Sequence, residues 1–580
     1  MSAPGTSAAR ATPERYRRQV ARERLRDRLR NAAGAFTSNA RNPSLRRAQL
    51  SFLGAWTAEW AFTVGLGIVA YRDGGATAVG LVGLLRMAPS AILAPLLSPL
   101  ADRGRRERVL VLVSVLRGVA TGAAAVVVGV GGATQIVYAL AVLSTIAATL
   151  YRPAHSALLP SLCHSGYELA SANVVRGLLD AAATLVGPLL AALLLQLSGV
   201  TVVFAVAAGA SLWAAALLLR LSYDAPPRPS APRETNLLSS AVEGVRVVRR
   251  NGDLALIMGL AAAQSFTRGA LTVLTVVVAI DLLGTGEAGV GVLTAAIGAG
   301  AVLGSLSASL LVGTRRLGAW FALGVALWGT PVTLIGVFPQ QVVALGLLAC
   351  VGIGNSLIDL SGFTLLARLA PDAVLARVFG VLESLVALST GCGAIVTSLL
   401  VDRAGVRAAL VTVGLLCPIL AVASWRRLRG MDRSIGVRDL DIDMLHTVAM
   451  LNVLPLPAIE QLARGVEHVD VPAGQVVFSQ GDVGDRYFVI ESGEAEVIGD
   501  GQVVATLGPG VGFGEIALLR RIRRTATVRA ASELRLKALP SDHFLPVVLG
   551  YTPSAREAGA VVDSMLDRFT PRDDLGQPPQ

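Results

Sequence analysis

Five arginines lie close together in the segment FGEIALLRRIRRTATVRA, residues 513–530. A basic cluster of this kind can bind nucleic acid or lipid headgroups through its total charge, or it can contain one arginine placed for a single phosphate. The arginines are Arg520, Arg521, Arg523, Arg524 and Arg529, and Glu515 lies nine residues before Arg524. The cluster alone is compatible with either use, and we expect arginines that bind no phosphate to be solvated or to contact the membrane part of the chain or lipid.

A second group of chemically active side chains lies inside apolar stretches long enough to span a membrane, where an ionisable residue is costly and marks a functional site. Glu59, in TAEWAFTVG, occupies the middle of such a stretch, and we expect it to bind a proton or a cationic substrate. For Asp180 and Glu383 a solvated or salt-bridged role near a membrane surface is the alternative. The further transport and proton-coupling candidates are Asp180, Asp359 and Glu383, with Arg117 and Arg268 as candidate partners.

Several other kinds of chemistry are not expected. The chain contains no G-x-x-x-x-G-K-[ST] phosphate loop, so ATP hydrolysis is not predicted to drive it, and we expect no enzymatic activity. No apolar core precedes residue 48, which argues against a cleavable signal peptide. Nothing after Phe569 could form a DNA-reading helix-turn-helix, and we expect no nucleic-acid partner. The four cysteines have no paired spacing and predict neither disulfides nor a metal site: Cys163, Cys350, Cys392 and Cys417.

The chain is far more apolar than an average soluble protein, since 53% of its 580 residues are hydrophobic and 16% are charged. Apolar runs long enough to cross a bilayer, which takes about 20 helical residues, follow one another from Leu50 to Trp425. Nothing alternates with period two, so we expect helices and no porin-like barrel. We predict twelve membrane helices, at residues 50–71, 76–101, 108–131, 134–152, 173–197, 199–221, 253–283, 287–313, 317–338, 341–369, 374–401 and 404–427.

The loops on one side of these helices, which we call the basic side, are rich in arginine. They include ADRGRRER (101–108), YRPAH (151–155), VRVVRR (245–250), GTRRLG (313–318) and RRLRG (426–430). Loops on the opposite side, such as YRDGG and FPQQ, hold few basic residues. Because basic loops stay in the cytoplasm, both termini are predicted to be cytoplasmic, as an even number of spans also requires.

The N-terminal tail belongs to the same basic side. Residues 1–48 carry twelve arginines against three acidic residues, and the tail could form a charged surface helix. A basic block next to a membrane segment is typical of contact with anionic lipid rather than nucleic acid.

Changes in composition divide the chain into domains. A Pro-rich stretch at 224–233 separates the spans six and six, and beyond Trp425 the composition is that of a soluble domain. Residues 439–465 read as helical, and from Val469 short β-rich runs alternate with turns, which predicts a small β-roll. We predict a basic tail at 1–48, a first six-helix half at 49–222, a linker at 223–252, a second half at 253–427, a tether at 428–443, the β-roll domain at 444–569 with a closing helix at 554–569, and a disordered tail at 570–580.

The six-plus-six arrangement with a long central loop resembles the major facilitator superfamily of secondary transporters. SPLADRGRRERVL (98–110) is similar to the family's loop between the second and third helices, and GSLSASLLVGTRRLG (304–318) is its counterpart without the acid. RPAHSALLPSL (152–162) and the segment 170–194 are similar to the branch that includes siderophore and multidrug exporters. The resemblance covers about residues 50–425 and departs from the family at Ser98, where a glycine is usual.

Membership of that family would imply alternating access, in which the two halves rock about a site at the membrane midplane. A charge latch in the loop after the second helix would then break and re-form, and transport would be coupled to an ion gradient, with H+ as the expected ion. The gating-loop residues implied by the resemblance are Asp102, Arg103, Arg105 and Arg106.

The C-terminal β-rich region resembles the cyclic-nucleotide-binding domain of catabolite-activator-type regulators, cyclic-nucleotide-dependent kinases and gated channels. VPAGQVVFSQGDVGDRYFVIESGEAEV (471–497) carries turn glycines at the family's positions, and GFGEIALLRRIRRTATV (512–528) closely matches its phosphate cassette. The resemblance covers about residues 444–569.

The resemblance assigns roles within the cassette. Glu515 would accept hydrogen bonds from the ribose 2′-hydroxyl, and Arg524 would pair with the cyclic phosphate. The N–H of Ala517 would point at the phosphate. Thr525 could also bond a guanine base, and similar R-T-A runs occur in both cAMP- and cGMP-responsive members, so the choice of base stays open, with cAMP expected and cGMP as the alternative. The implied nucleotide-binding residues are Phe513, Gly514, Glu515, Ile516, Ala517, Arg524, Thr525 and Ala526.

Together these patterns predict a mainly α, polytopic membrane protein with a twelve-helix major-facilitator fold and a cytoplasmic β-roll with flanking helices. The predicted function is secondary transport, as an antiporter-like exporter of a small molecule in the plasma (inner) membrane, regulated by cyclic nucleotide. The alternatives are a transporter-like receptor or scaffold, and a transporter whose nucleotide site is purely structural. The sequence leaves open the transported substrate, the direction, the sign of regulation and the oligomeric state.

Overall fold

The computed structural model describes residues 41–103, 105–163, 166–219, 221, 237–311, 316–370, 375–445, 447–452, 454 and 456–550. Most of the predicted basic tail, much of the linker 223–252, the closing helix 554–569 and the tail 570–580 lie outside these residues. The chain divides into two compact units, Met1–Arg429 and Gly430–Gln580, which are described separately.

The first unit is helical throughout its described residues. Its helices are α1 (Pro43–Arg103), α2 (Arg106–Gly129), α3 (Thr134–Ala148), α4 (Tyr151–Leu162), α5 (Gly166–Leu197), α6 (Val200–Leu219), α7 (Leu237–Arg250), α8 (Gly252–Val277, continued by a π-helical turn at Val278–Leu282), α9 (Gly286–Leu311), α10 (Leu317–Val337), α11 (Gln341–Leu369), α12 (Leu375–Ala404) and α13 (Val406–Leu445).

Eleven helical segments in the described part of the chain are long and apolar enough to cross a membrane, against the twelve predicted from sequence. The difference arises in α1, which contains both of the first two predicted spans. Gly74 and Gly75 break its helical backbone, with φ of −162° and +60°, so that 43–73 and 76–103 are separate helical segments. The positive φ of Gly75 favours glycine, which accounts for the kink at this position.

Two segments predicted as connections are helical. Residues 237–250 of the predicted linker form α7, whose last turn carries Arg249 and Arg250. The predicted tether at 428–443 is part of α13, which ends at Leu445. The tether sequence contains two glycines, Gly430 and Gly436, but no proline, so the α-helix is not interrupted there.

Small residues allow neighbouring helices to approach closely, both between the halves and within the second half. A Cβ atom at Gly298 of α9 would collide with the backbone of Leu185 in α5, and one at Gly393 of α12 would collide with the backbone of Phe266 in α8. Close helix contacts of this kind stabilise membrane proteins because lipid provides no hydrophobic drive for helices to associate.

Polar contacts join the halves on the side opposite the basic loops. Tyr71 donates a hydrogen bond to the Asp281 carboxylate at 2.6 Å, within the π-helical turn, and Thr77 bonds Asp402. Arg72 forms a two-point ion pair with Glu287 through Nε and Nη2, each 2.6 Å from a carboxylate oxygen. We call these three contacts the polar latch.

The second unit contains the β-roll. Short helices α14 (Ala449–Asn452) and α15 (Leu456–Arg464) precede the strands β1 (Glu467–Val471), β2 (Val476–Phe478), β3 (Arg486–Ser492), β4 (Ala495–Gly499), β5 (Gln502–Leu507) and β6 (Gly512–Phe513), then α16 (Glu515–Arg520), β7 (Thr527–Ala530), β8 (Leu534–Pro540) and α17 (Ser541–Gly550). The strands form two antiparallel four-stranded sheets, in the orders β1-β8-β3-β6 and β2-β7-β4-β5.

Two apolar clusters stabilise this unit. One lies between the sheets and includes Phe488, Phe513 and Leu536. In the other, the helices that flank the roll pack on β3 and β8, and Phe544 of α17 stacks on Tyr487 with ring centroids 4.5 Å apart. The predicted turn glycines have the left-handed backbone that favours glycine, with φ of +83°, +89° and +92° at Gly474, Gly481 and Gly493.

The only lysine of the sequence makes a buried ion pair in this unit. Lys537 of β8 and Asp441 of α13 are each 6% exposed, and Lys537 Nζ lies 2.9 Å from Asp441 Oδ1. His468 and Glu491 also contact the ammonium group. This pair joins the end of α13 to the sheet, and removing either partner would leave a buried charge uncompensated.

The ion pair in the polar latch can be tested by charge reversal. Arg72→Glu or Glu287→Arg alone places like charges opposite each other and should lower the thermal unfolding midpoint of the detergent-solubilised protein by about 1–3 °C. The double variant restores an opposite-charge pair and should recover most of the loss. As a matched control, Arg407→Glu reverses an exposed arginine elsewhere, and combining it with Glu287→Arg should not recover the unfolding midpoint. If the losses of the two single variants simply add in the Arg72→Glu/Glu287→Arg double variant, the pairing is contradicted.

Candidate nucleotide site and membrane cavity

The cassette segment begins where β6 ends. Gly514 has φ of +92° and connects β6 to α16, whose first residue is Glu515. A Cβ atom at Gly514 would lie 2.6 Å from Arg524 Nη1, so this position requires glycine for both its backbone conformation and its space. After α16 ends at Arg520, the chain returns to place Arg524 beside Gly514.

Arg524 is buried, with 3% of its surface exposed. Its Nη1 and Nη2 donate 2.8 Å hydrogen bonds to the carbonyls of Gly514 and Arg486, and its guanidinium lies 4.1 Å from the centroid of the Phe478 ring. The nearest carboxylate is that of Asp485, at 3.9 Å. Burial lowers the pKa of Arg524, and neighbouring carboxylates oppose that shift. The guanidinium is therefore held by neutral backbone groups and an aromatic face, with its charge only weakly compensated.

Glu515 is equally buried, with 3% of its surface exposed. Burial raises the pKa of its carboxyl from 4.5 to about 7, although a backbone hydrogen bond and the charge of Arg524 oppose that shift. Burial therefore favours the protonated form of this carboxyl over a wider pH range than for a solvated glutamate.

Each of these two side chains has a buried polar atom without a hydrogen-bond partner: Oε2 of Glu515 and Nε of Arg524. Buried polar atoms are paired in most proteins, and exceptions call for an explanation. An acceptor and a cationic donor left unpaired on neighbouring residues fit a ligand that carries both a hydroxyl group and a phosphate. The residues present therefore fit a cyclic nucleotide, with its ribose hydroxyl at Glu515 and its phosphate at Arg524.

The other predicted nucleotide-binding residues lie around this pair. Phe513 stacks on Phe488 with centroids 5.3 Å apart, and Ile516 and Ala517 are buried in α16. Ala526 is buried between the sheets, whereas Thr525 is exposed next to Arg524. The structure thus brings the eight predicted residues into one region of the roll.

Among the other arginines of the segment, Arg523 and Arg529 have intramolecular partners that the sequence did not indicate. Arg529 forms an ion pair with Glu496 across β7 and β4 at 2.7 Å. Arg523 donates a 2.7 Å hydrogen bond to the carbonyl of Gly481. Arg521 follows the last residue of α16 and has φ of +54°, and Arg520 is exposed.

In the membrane unit, Glu59 is the centre of a buried ion triad. Its Oε1 accepts a hydrogen bond from Arg86 at 2.8 Å and its Oε2 from Arg117 at 2.5 Å. Arg86 and Arg117 are 6% and 3% exposed at the side chain. Arg86 was not singled out from sequence, although an arginine within the second apolar stretch was a signal of the same kind as Glu59 itself.

A cavity of about 500 Å³ lies between the two halves of this unit, and most of its lining is apolar. Among the predicted transport residues, Asp180, Asp359 and Arg268 line it, and Arg152 is a charged lining residue that the sequence analysis did not select as a transport candidate. Glu59, Arg117 and Glu383 are not among the lining residues. The predicted candidates therefore separate into a group that lines the cavity and the Glu59 ion triad, with Glu383 exposed on α12.

The cavity charges are held loosely. Arg152 Nη2 lies 3.3 Å from both Asp180 oxygens. Arg268 donates a 2.8 Å hydrogen bond to Asn355, whose Nδ2 donates in turn to Asp359 at 2.9 Å. Among the described residues that line the cavity, neither aspartate has a short guanidinium contact on each oxygen, whereas Glu59 does.

The predicted gating loop is described in part. The side chains of Asp102 and Arg103 lie outside the described residues, although both belong to α1. Arg106 donates hydrogen bonds to the Ala157 carbonyl at 2.5 Å and to Ser161 at 3.2 Å, and Arg105 pairs with Glu107 at 2.6 Å. The two described arginines thus bind α4 and α2 on the basic side.

Comparison with known proteins gives matches in both units. The family model for the Major Facilitator Superfamily matches residues 50–382, and that for the cyclic nucleotide-binding domain matches residues 468–551. These matches confirm the two resemblances predicted from sequence and the order of the two domains.

Individual relatives match over a short part of the chain. The cAMP-dependent protein kinase regulatory subunit of Schizosaccharomyces pombe is 38% identical over 102 residues, which is 17% of this chain and 25% of that protein. An uncharacterised protein of Mycobacterium tuberculosis is 45% identical over 105 residues, 18% of this chain and 20% of that protein. The chain thus spans a quarter or less of the length of these relatives.

Among solved structures, the regulatory domain of Toxoplasma gondii PKA with cAMP is 27% identical, covering 23% of this chain and 51% of that one, with a TM-score of 0.20. The sensor domain of the transcriptional regulator DNR from Pseudomonas aeruginosa is 19% identical, covering 24% of this chain and 98% of that one, with a TM-score of 0.21.

The roles of Glu515 and Arg524 predict the effect of removing each. Arg524→Ala should weaken binding of a fluorescent cAMP analogue to the full-length, detergent-solubilised protein about 100-fold or more, because a buried charge-assisted contact is lost. Arg529→Ala is the matched control, since it removes an arginine of the same segment that pairs with Glu496, and it should leave the affinity within about twofold. Equal losses in the two variants would contradict a specific phosphate contact.

The raised pKa of Glu515 predicts a pH dependence of binding. Because the carboxylate accepts a hydrogen bond from the ligand, affinity should increase about tenfold between pH 6 and pH 8, through the pKa of about 7. The nucleotide-free protein should show the opposite trend in stability. The folded state binds this proton more tightly than the unfolded chain, so the contribution is fully present below pH 4.5 and is lost as pH rises through 7. Titrations of the full-length Glu515→Gln variant should lack both trends; a wild-type affinity that is flat with pH would contradict this role.

Proposed function

The chain belongs to the major facilitator superfamily, and we propose that it is a secondary active transporter whose activity is regulated by a cyclic nucleotide bound to its C-terminal domain. The observation that carries the proposal is the buried Glu515–Arg524 pair, in which each side chain keeps an unpaired polar atom. A roll that had lost its ligand would have no reason to bury these two groups unsatisfied, because each costs free energy without a partner.

The membrane unit supports transport rather than a purely structural body. Its cavity is lined by charged side chains from both halves, as expected for a site that the halves share during alternating access. The polar latch joins the halves on the side opposite the basic loops. We infer that the described conformation is closed on that side, and that opening requires the latch contacts to break.

Asp359 is the carboxylate best placed to couple transport to protons. It faces the cavity as an exposed side chain, and its described hydrogen bond comes from the neutral Asn355 to Oδ2. Glu59 has both oxygens occupied by arginines and lies outside the cavity lining. We therefore assign coupling to Asp359 and a structural role to Glu59, which reverses the priority suggested by the sequence.

The ligand, direction and location are parts of the same proposal. We propose cAMP, because the relatives named above include a regulatory subunit of a cAMP-dependent kinase. The exposed Thr525 next to Arg524 leaves room for cGMP recognition through its base. Cyclic nucleotides are intracellular, which together with the basic loops favours cytoplasmic termini in the inner membrane, and export is the proposed direction.

Regulation needs a difference in affinity between two transporter states. A nucleotide that binds both states equally shifts nothing, however tightly it binds. A tenfold difference would shift the equilibrium by about 1.4 kcal/mol, which is enough for a clear change in rate.

Flux in proteoliposomes tests this proposal. With the full-length protein and an imposed pH gradient, a panel of organic amines, carboxylates and zwitterions should include a solute whose flux changes at least threefold on adding cAMP to the C-terminal side. Arg524→Ala should abolish the response to cAMP, Arg529→Ala should keep it, and Asp359→Asn should abolish proton-driven flux.

The outcomes separate the alternatives. Nucleotide binding without flux of any solute would contradict transport and favour a receptor. Flux that is the same with and without cAMP, in a protein shown to bind it, would favour a purely structural nucleotide.

A further inference from the structure

The cavity between the two halves has a charge arrangement that bears on what it binds. Each half supplies one arginine and one aspartate to the lining: Arg152 and Asp180 from the first half, and Arg268 and Asp359 from the second. The four formal charges cancel. A cavity built for a simple cation or a simple anion would show an excess of the opposite charge.

The second-half pair is open to a ligand. Among the described residues, no carboxylate lies within ion-pair distance of Arg268. Its Nη2 donates a hydrogen bond to Asn355. Its guanidinium also lies 5.4 Å from the centroid of the Trp328 ring, which fixes its direction. The neutral Asn355 lies between Arg268 and Asp359 and keeps the two charges from neutralising each other directly.

The first-half pair is also incompletely satisfied. One nitrogen of Arg152 lies 3.3 Å from each Asp180 oxygen, a long contact, and the side chains are 58% and 35% exposed. Arg152 stacks on Trp56 with 4.6 Å between the guanidinium carbon and the ring centroid, so the ring rather than the carboxylate determines its position.

The remaining lining selects an apolar body. Trp60 and Trp328 line the cavity with aliphatic side chains such as Leu178 and Ile297. Its volume of about 500 Å³ suits a small organic molecule.

We infer that this cavity binds an amphipathic zwitterion, an organic molecule with an aromatic or aliphatic body that carries both an amine and a carboxylate. The carboxylate pairs with Arg268 and the amine with Asp359. A molecule with one charge would leave either the arginine or the aspartate without a partner of opposite charge, whereas a zwitterion pairs with both. This inference rests on the proposed transport function for its physiological meaning, but its chemistry concerns binding alone.

Three forms of one probe test the inference. The dipeptide Phe-Phe is a zwitterion, its C-terminal amide is a cation, and its N-acetyl form is an anion, with nearly the same body. Equilibrium binding to the full-length detergent-solubilised protein, measured by scintillation proximity with labelled probes, should favour the zwitterion at least tenfold over both other forms.

Variants then assign the two charges. Arg268→Gln should weaken zwitterion binding about tenfold or more and leave the amide nearly unchanged. Asp359→Asn should weaken the zwitterion similarly and leave the N-acetyl form nearly unchanged. Arg407→Gln, at an exposed arginine outside the cavity, is the matched control and should change none of the three. Arg268→Lys, which keeps the charge, should retain more affinity than Arg268→Gln and guards against a loss caused by misfolding.

Other outcomes would overturn the inference. If the amide binds as well as the dipeptide, the cavity is a cation site, and if the N-acetyl form does, it is an anion site. Failure of all three to bind at millimolar concentration also overturns it. Because the assay measures binding and not flux, a zwitterion that binds but is not transported would contradict the proposed function and leave this inference standing.

Discussion

A charge held away from water must find partners, and this constraint shapes both units of the molecule. In the membrane unit the Glu59 carboxylate lies among apolar helices, where an uncompensated charge would cost several kcal/mol. Its partners Arg86 and Arg117 come from the next two spans, so the triad fixes three helices relative to one another. In the β-roll the Arg524 guanidinium likewise joins separate parts of the chain, because its carbonyl and aromatic partners come from three segments: Phe478, Arg486 and Gly514.

The carboxylates differ in how completely they are paired, and we propose that this difference separates structural carboxylates from functional ones. Glu59 has an arginine on each oxygen. Asp359 is bonded by a neutral amide and faces a cavity, and Glu515 and Arg524 each retain an unpaired buried atom. Incomplete pairing is costly in a resting protein, and it is retained where a ligand completes it. On this reasoning both units present sites that wait for a bound molecule.

Features encoded locally were predictable from sequence, and those that depend on tertiary contacts were not. The membrane spans and the cassette follow from apolar run length and from a short motif, and positive φ at Gly481 and Gly514 follows from glycine at turn positions. The partnership of Arg86 with Glu59, 27 residues apart, depends on how two helices pack and has no local signature. The helical continuation of α13 to Leu445 was missed because a composition change was taken as a break in structure. Composition marks where a chain leaves the membrane, while helix ends depend on capping and on breakers such as proline.

The central claim is that nucleotide binding and transporter conformation are coupled, and coupling is reciprocal. If cAMP shifts the balance between the transporter states, then locking the protein in one state must change its affinity for cAMP. The most direct measurement joins Arg72→Cys to Glu287→Cys across the polar latch with a short bis-maleimide, in a background lacking the four native cysteines, and compares the Kd for cAMP before and after cross-linking. We predict a change of about fivefold or more, absent from a control with a single introduced cysteine treated in the same way. An unchanged Kd in the locked protein would contradict the account.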